Sequence, residues 1–395
     1  CMVFVMTACA ENSSQSEKSQ PAEQTTVQST TMSAEEINDR KLDKFISDMT
    51  LEEKVGQMFF VRCPDEDAVQ QVSKYNIGGG EYLLFGRDFD GKTKDEVVDD
   101  IHSYQNEADI PLLIGVDEEG GTVVRVSSNP NLRETPFLSP KDTYADGGWD
   151  AVKQDAEEKA DLLLSLGINV NLAPVCDMTS DEYGFMYDRS FSSDVDMENR
   201  YVRTVVETSK SKKLGTVLKH FPGYGNNSDT HTGIAYDDRD YSEFENTDFK
   251  PFYQGIESGA DCILVSHNIV NCMDSEYPAS LSQMVHDILR NEFKFDGVIM
   301  TDDLIMDAIT DFTGDEAAAV TAAKCGNDLL CCSSVDTQYP AVLEAVQNGE
   351  IPETQVDASV KRILKWKQNL GIFNIDTYQK KVKSTEPTDT VGSEE

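Results

Sequence analysis

Short apolar runs recur eight times between residues 58 and 332, and most of the intervening stretches read as helices. The runs lie at Met58–Val61, 79–85, Leu112–Val116, Val170–Leu172, Thr216–Leu218, Cys262–Val265, Val298–Thr301 and Leu329–Cys331. A strand that is apolar throughout is buried on both faces, which requires a parallel sheet covered by helices. Eight such units over about 330 residues predict an α/β fold, a single (β/α)8 barrel of TIM type, with a doubly wound open sheet as the alternative. "WDAVKQDAEEKADLLLSLG" and "ENRYVRTVVETSKSKKLG" both run to a glycine, a common helix stop. "DASVKRILKWKQNLGIF" predicts a last amphipathic helix with Val360, Ile363, Leu364 and Leu370 on one side. The polar residues follow each apolar run, and in a barrel those positions form the C-terminal face, where active sites are built.

Composition sets the surroundings of that barrel. Of the 395 residues 39% are hydrophobic, enough for a large core, and the formal net charge is −38. Such a surface repels nucleic-acid phosphates and anionic lipid, so no nucleic-acid partner is expected. The opening stretch "CMVFVMTACAENSSQSEKSQPAEQTTVQSTTMSAEE" begins apolar and turns polar after Cys9. It is too short to span a bilayer and reads as the tail of a secretory signal. Met6-Thr7-Ala8-Cys9 resembles a bacterial lipobox, with Met6 where Leu is usual. Lipidation at Cys9 would anchor an exported chain to the outer face of the cytoplasmic membrane, its one expected contact with a membrane. Residues 10–33 read as a flexible tether. The expected divisions are signal remnant and tether over 1–35, catalytic barrel over 36–374 and polar tail over 375–395. Nine cysteines occur, an odd number, with no C-x-x-C or zinc spacing. Cys176, Cys262, Cys331 and Cys332 sit in apolar runs and are expected to be buried thiols.

The strand ends collect chemistry. The third run ends in Asp117, with Arg125 eight residues on; the fourth leads to Arg189 in "YDRSFSSD". The fifth meets Lys219 and His220 and then a loop with Asp229 and His231; the sixth is followed by His267, the seventh by Asp302 and Asp303. Each has an ordinary structural role open to it. Asp117 and Arg125 could be a surface ion pair. Lys219 and His220 could close the barrel against carboxylates. His267 could be a satisfied core histidine, and Asp303 could cap the next helix. No His-x-His or H-E-x-x-H spacing occurs, so neither metal nor cofactor is expected. Asp229-Thr230-His231 is sharper, because a carboxylate beside an imidazole fixes its tautomer and raises its basicity. Gly223, Gly225, Asn226 and Asn227 let that loop turn tightly and move. Set against Asp302, the pair suggests a nucleophilic carboxylate facing a proton donor, the arrangement of retaining glycoside hydrolysis.

On these residues the chain resembles glycoside hydrolase family 3, in its β-N-acetylglucosaminidase branch. The resemblance is carried by "MTLEEKVGQMFF", "GVDEEGGTVVRV", "NLAPVCDM", "DRSFSSD", "LKHFPGYGNNSDTHTG", "GVIMTDDLIMDAI" and "ASVKRILKWKQNLGIF", in order from 49 to 373. It implies a (β/α)8 barrel, Asp302 as nucleophile, and an acid/base dyad of Asp229 and His231 on a mobile loop. It implies sugar contacts at Asp117, Arg125, Arg189, Lys219 and His220. The family's β-glucosidases take an acid/base carboxylate from a second domain, for which this sequence leaves no stretch, so the His-bearing loop is the expected substitute. Many members have His where Tyr224 stands, and here the stretch from Tyr224 to the dyad is about one residue shorter. The expected partner is a small carbohydrate and the expected state a monomer. The readings weighed against an N-acetylglucosaminidase are a phosphorylase or β-glucosidase of the same family, a sugar-binding lipoprotein without catalysis, and a metal-dependent barrel hydrolase.

Overall fold

The structure, a computed structural model, describes residues 32–75, 81–227, 230, 233–313 and 315–380. Cys9, nearly all of the tether, Asp229 and His231 lie outside the described residues. The chain divides into a short N-terminal unit ending at Asp39 and a large unit, Arg40–Glu395. In the first, Ser33 and Glu36 exchange side-chain and backbone hydrogen bonds at the start of a helix.

The large unit is the expected barrel. Its strands are β1 Phe59–Arg62, β2 Glu81–Leu84, β3 Ile114–Val116, β4 Val170–Asn171, β5 Gly215–Phe221, β6 Cys262–Val265, β7 Val298–Thr301 and β8 Leu330–Cys332. All pairings are parallel and run in chain order, with β8 beside β1. A parallel bridge between Met300 and Leu329 joins β7 to β8 and closes the ring. A separate two-stranded ladder, Tyr236–Asp237 against Ile269–Val270, was not foreseen; two-residue strands leave no periodicity to read.

Caps and parity explain these elements. Thr50 and Glu53 form a reciprocal capping box ahead of helix Leu51–Gln57, which delivers the chain into β1. Ser139 caps helix Pro140–Leu166, which kinks at Gly147 and Gly148 before the expected helical run begins at Trp149, and Gly167 ends it at φ 92°. The second glycine stop is corrected. Lys213, at φ 65°, ends helix Val195–Lys212, and Gly215 instead opens β5. A Cβ on Gly215 would stand 3.1 Å from Trp366, so that glycine serves packing. Inside the ring, Phe60, Leu83, Leu172, Val217, Leu264, Met300 and Cys331 fill the barrel. Gly115 leaves room there for the Phe60 ring. The described cysteines form no disulfide, and all but Cys272 are buried, as expected of thiols used as small hydrophobes. Residues 375–380, read as the start of a polar tail, still pack: the Tyr378 ring lies 5.0 Å from that of Phe45. Among the described residues no helix is long and apolar enough to cross a membrane.

The last helix, Glu353–Leu370, turns Ile363, Trp366 and Leu370 into the core that fills the barrel. Beside them lies a fully buried pair: Lys367 Nζ stands 2.8 Å from Glu81 Oε1 and 3.0 Å from Gln57 Oε1. Burial is the larger influence and pushes the Glu81 carboxyl up to about 8, with Lys367 and the Leu113 N–H pulling it down. In Lys367→Met the main opposing charge is gone, so the folded-state value rises further above the ordinary 4.5. Stability is then fully present below 4.5 and is lost as pH rises toward and through the folded-state value. Urea unfolding is expected to show a deficit about 1 kcal/mol or more larger at pH 9, above the wild-type value of about 8, than at pH 5. Equal deficits at the two pH values would show that the charge is irrelevant and only packing was lost.

Candidate active site

Three residues in a row set the site's first wall. Asp117, Glu118 and Glu119 follow β3 in extended chain, so alternate side chains point the same way. Asp117 and Glu119 face the barrel mouth. Glu118 turns the other way and is fully buried, accepting the N–H groups of Arg125 (2.9 Å) and Val126 (2.7 Å). It thereby folds back the loop that carries Arg125.

The fifth strand runs further than its apolar run predicts. β5 continues through Lys219 and His220 to Phe221, so both polar residues lie inside the strand and are buried. The Lys219–His220 and Phe221–Pro222 peptide bonds are cis. Lys219 Nζ sits 2.6 Å from Asp117 Oδ1 and 2.6 Å from Glu119 Oε1. Glu119 in turn accepts Arg189 Nε (3.0 Å) and Nη2 (2.8 Å). Burial opposes charge on Glu119, but Lys219 and Arg189 outweigh it and hold the carboxyl far below the usual range. Burial likewise works against the Lys219 ammonium, and Asp117 and Glu119 more than restore it. The alternative in which Asp117 pairs with Arg125 is not what the geometry shows, since Asp117 is held by Lys219. The alternative in which Lys219 closes the barrel against carboxylates is what the geometry shows.

His220 is fixed on both sides. Its Nδ1 lies 2.7 Å from Asp177 Oδ2, and its Nε2 lies 3.2 Å from Arg189 Nη2. A carboxylate only accepts and a guanidinium only donates. Nδ1 therefore carries the proton and the Nε2 lone pair faces Arg189. Asp177 also accepts the His220 and Tyr224 backbone N–H groups, at 2.9 and 2.7 Å, so it ties the end of β5 to the loop beyond. Gly223 and Gly225 have φ of 120° and 54° but are pressed against Asp248 and Arg239. A Cβ on either would collide with those side chains, so both glycines are needed for packing at the stem of the loop. Asn226 and Asn227 are tied as well, to Thr179 (2.7 Å) and Asp237 (2.6 Å). Tyr224 is buried and its hydroxyl meets the buried Thr230 at 2.5 Å.

At the end of β7, Asp302 Oδ1 accepts the Asp303 N–H at 2.9 Å. Asp303 does not cap the next helix. It accepts the N–H groups of Ile305 and Ser333 and the Ser333 hydroxyl, lacing β7 to β8, and burial raises its pKa despite those bonds. His267 is a satisfied core histidine, between Ser280 Oγ (2.7 Å) and the Asp303 carbonyl (3.1 Å).

Asp117, Arg125, Arg189, Lys219, His220 and Asp302 line one cavity of ≈ 760 Å³, large enough for a sugar unit and part of its neighbour. Glu119 and Asp177 were not singled out from the sequence. Glu119 was findable, because it stands two residues from Asp117 on an extended segment. Asp177 carried the same signal as the others, a polar group after an apolar strand. A second hollow of ≈ 820 Å³ opens around Met273, Asp274, Tyr277 and Met284. Its Asp274 is already bound to Ser282 Oγ (2.6 Å) and to the N–H of Glu276 (2.9 Å). Among the described residues no group of three His, Cys, Asp or Glu side chains is placed to hold a metal ion.

Comparison with known proteins gives a consistent answer. The family described as "Glycosyl hydrolase family 3 N terminal domain" matches residues 50–366. A beta-hexosaminidase of Hydrogenovibrio crunogenus is 32% identical over 270 residues, 67% of this chain and 74% of that one. The Beta-hexosaminidase LpqI of Mycobacterium tuberculosis is 30% identical over 329 residues, 79% of this chain and 81% of its own. Its solved structure superposes with a TM-score of 0.72, covering 82% of this chain and 96% of that one. A family 3 beta-N-acetylglucosaminidase of a Paenibacillus strain superposes with a TM-score of 0.76 at 28% identity, over 87% of this chain and 66% of that one. The barrel, its order of motifs and these likenesses agree, and the chain belongs to glycosyl hydrolase family 3.

Proposed function

We propose that this protein is a retaining exo-β-N-acetylglucosaminidase, removing terminal β-linked N-acetylglucosamine from peptidoglycan fragments or chito-oligosaccharides. The observation that carries the reading is the convergence of Asp302 with a buried, mutually ion-paired set from β3 and β5 in one sugar-sized cavity. Relatives that carry the names beta-hexosaminidase and beta-N-acetylglucosaminidase support the sugar assignment.

In this mechanism Asp302 attacks the anomeric carbon as the glycosidic C–O bond breaks, giving a glycosyl ester. His231, as imidazolium, gives its proton to the leaving oxygen, and Asp229 orients the ring. Neutral His231 then takes a proton from water, whose oxygen displaces Asp302 and returns the sugar with its β configuration. Asp117 and Lys219 hold sugar hydroxyls as an acceptor and a donor already locked together. Arg189 and His220 do the same through Glu119 and Asp177, so the site is organised before substrate arrives. The export signal and Cys9 lipidation complete the reading: an enzyme held at the outer face of the membrane, acting as a monomer.

Hydrolysis of 4-nitrophenyl N-acetyl-β-glucosaminide beside 4-nitrophenyl β-glucoside, with and without phosphate, tests the proposal. Preference for the N-acetyl sugar by about 10²-fold or more in kcat/KM, independent of phosphate, is expected. Sugar 1-phosphate as product would make the enzyme a phosphorylase. Turnover of neither substrate by folded protein would leave a sugar-binding protein.

A further inference from the structure

We propose that Tyr224 is a positioning residue for the acid/base step, its hydroxyl holding Thr230, and through it the flanking Asp229 and His231, against the floor of the cavity. The proposal rests on the reading just given. Tyr224 lines the cavity that holds Asp302, yet it is only 1% exposed. Its ring makes edge-to-face contacts with His220 at 5.2 Å and Phe185 at 5.6 Å, and it packs with Val175 and Met186. Its backbone N–H donates to Asp177 Oδ1 at 2.7 Å, while Oδ2 of the same carboxylate holds His220 Nδ1, also at 2.7 Å. One carboxylate therefore fixes both a residue of the glycone wall and the phenol beside it. From that frame the Tyr224 hydroxyl reaches Thr230 Oγ1 at 2.5 Å.

The bond falls in the middle of the loop. On one side Asn227 is tied to Asp237 at 2.6 Å; on the other the Ala235 carbonyl accepts the Ile269 N–H at 2.9 Å. Between these ties Thr230 is the one fully buried residue among those described, and Gly233 and Ile234 are partly exposed. A trans peptide keeps consecutive Cα atoms about 3.8 Å apart, so a fixed Thr230 bounds the travel of both residues beside it. Those two carry the acid/base work in this reading, and a misplacement of about 1 Å can cost about 10²-fold in rate. A buried threonine hydroxyl without a partner is costly, and the Tyr224 hydroxyl is the partner it has here. Burial first, and then the Asp302 carboxylate, raise the phenol above its ordinary 10, with the Thr230 bond pulling it down. The phenol therefore keeps its proton at neutral pH, and the tie does not titrate there.

The test is kcat/KM on two aryl N-acetyl-β-glucosaminides, because that quantity follows the first, bond-breaking step. A 2,4-dinitrophenyl group leaves without a proton, and a phenyl group needs one. Tyr224→Phe removes the hydroxyl alone. It is expected to lower kcat/KM by about tenfold or more on the phenyl substrate and by less than about threefold on the dinitrophenyl one. Thr230→Val should reproduce that pattern, and Thr230→Ser should keep most of the wild-type rate. Tyr224→Phe combined with Thr230→Val should cost no more than either change alone. Equal losses on the two substrates would make Tyr224 a wall of the sugar site or a packing group, and would overturn the proposal. So would losses that add, or a selective loss in Tyr224→Phe that Thr230→Val does not share. His231→Ala separates this failure from failure of the underlying reading. Equal losses in that variant, or turnover of no glycoside by wild type, would remove the acid/base assignment itself. Amide hydrogen exchange over 226–234 then decides the tie alone. Faster exchange in Tyr224→Phe than in wild type supports it, and an unchanged rate overturns it.

Discussion

Asp302→Asn is expected to lower kcat on 4-nitrophenyl N-acetyl-β-glucosaminide by about 10⁴-fold, roughly 5–6 kcal/mol of transition-state stabilisation, with the fold intact. The amide is close in size to the carboxylate and can still accept the Asp303 N–H at the position now held by Oδ1. It cannot attack an anomeric carbon and leave again. Thermal unfolding should therefore move little while turnover collapses. A second variant separates chemistry from packing. In Asp302→Ala, added azide can enter where the carboxylate was and carry its charge to the anomeric carbon, giving an α-glycosyl azide from an activated aryl substrate. An Asp302→Asn enzyme with undiminished kcat would remove Asp302 from the nucleophile's place.

Glu119→Gln should have the larger effect on stability. Glu119 is 3% exposed and, among the described residues, is the one carboxylate shared by Lys219 and Arg189. Its loss leaves two buried cations with a neutral amide between them, at a cost of about 3–5 kcal/mol. Because the wild-type carboxyl is held below its ordinary value, its contribution is present above 4.5 and is lost as pH falls through the folded-state value. The gap between wild type and variant in urea midpoint is thus expected to be full at pH 7 and to narrow below pH 4.5. Activity should fall too, by about 10²-fold in kcat/KM, since Lys219 and Arg189 lose the group that sets their positions. A gap that stays constant down to acid pH would show that shape, not charge, was what Glu119 supplied.

Much of this protein was legible in its residues alone. The eight strands lie within a few residues of the runs read from the sequence, and β6 and β7 coincide with them. The reason is physical: a strand buried on both faces must be apolar along its whole length, and that pattern needs no neighbour to be recognised. The polar residues after those strands shared one mouth because parallel strands all point their C-terminal ends the same way. Asp117, Arg125, Arg189, Lys219, His220 and Asp302 were found by that rule and do line one cavity.

Partnership was not legible, because it depends on distances between strands that the sequence separates by a hundred residues. Asp117 could have paired with Arg125 nearby; tertiary structure gave it Lys219, 102 residues away, at 2.6 Å. The same closure made Glu119 the shared counter-ion of Lys219 and Arg189, turned Asp177 onto His220, and used Asp303 to lace β7 to β8. Gly223 and Gly225 showed only that a turn was possible, and packing against Asp248 and Arg239 made them anchors. Residue types determined the barrel and the kinds of groups at its mouth. Which charges neutralise one another only the closed ring could decide.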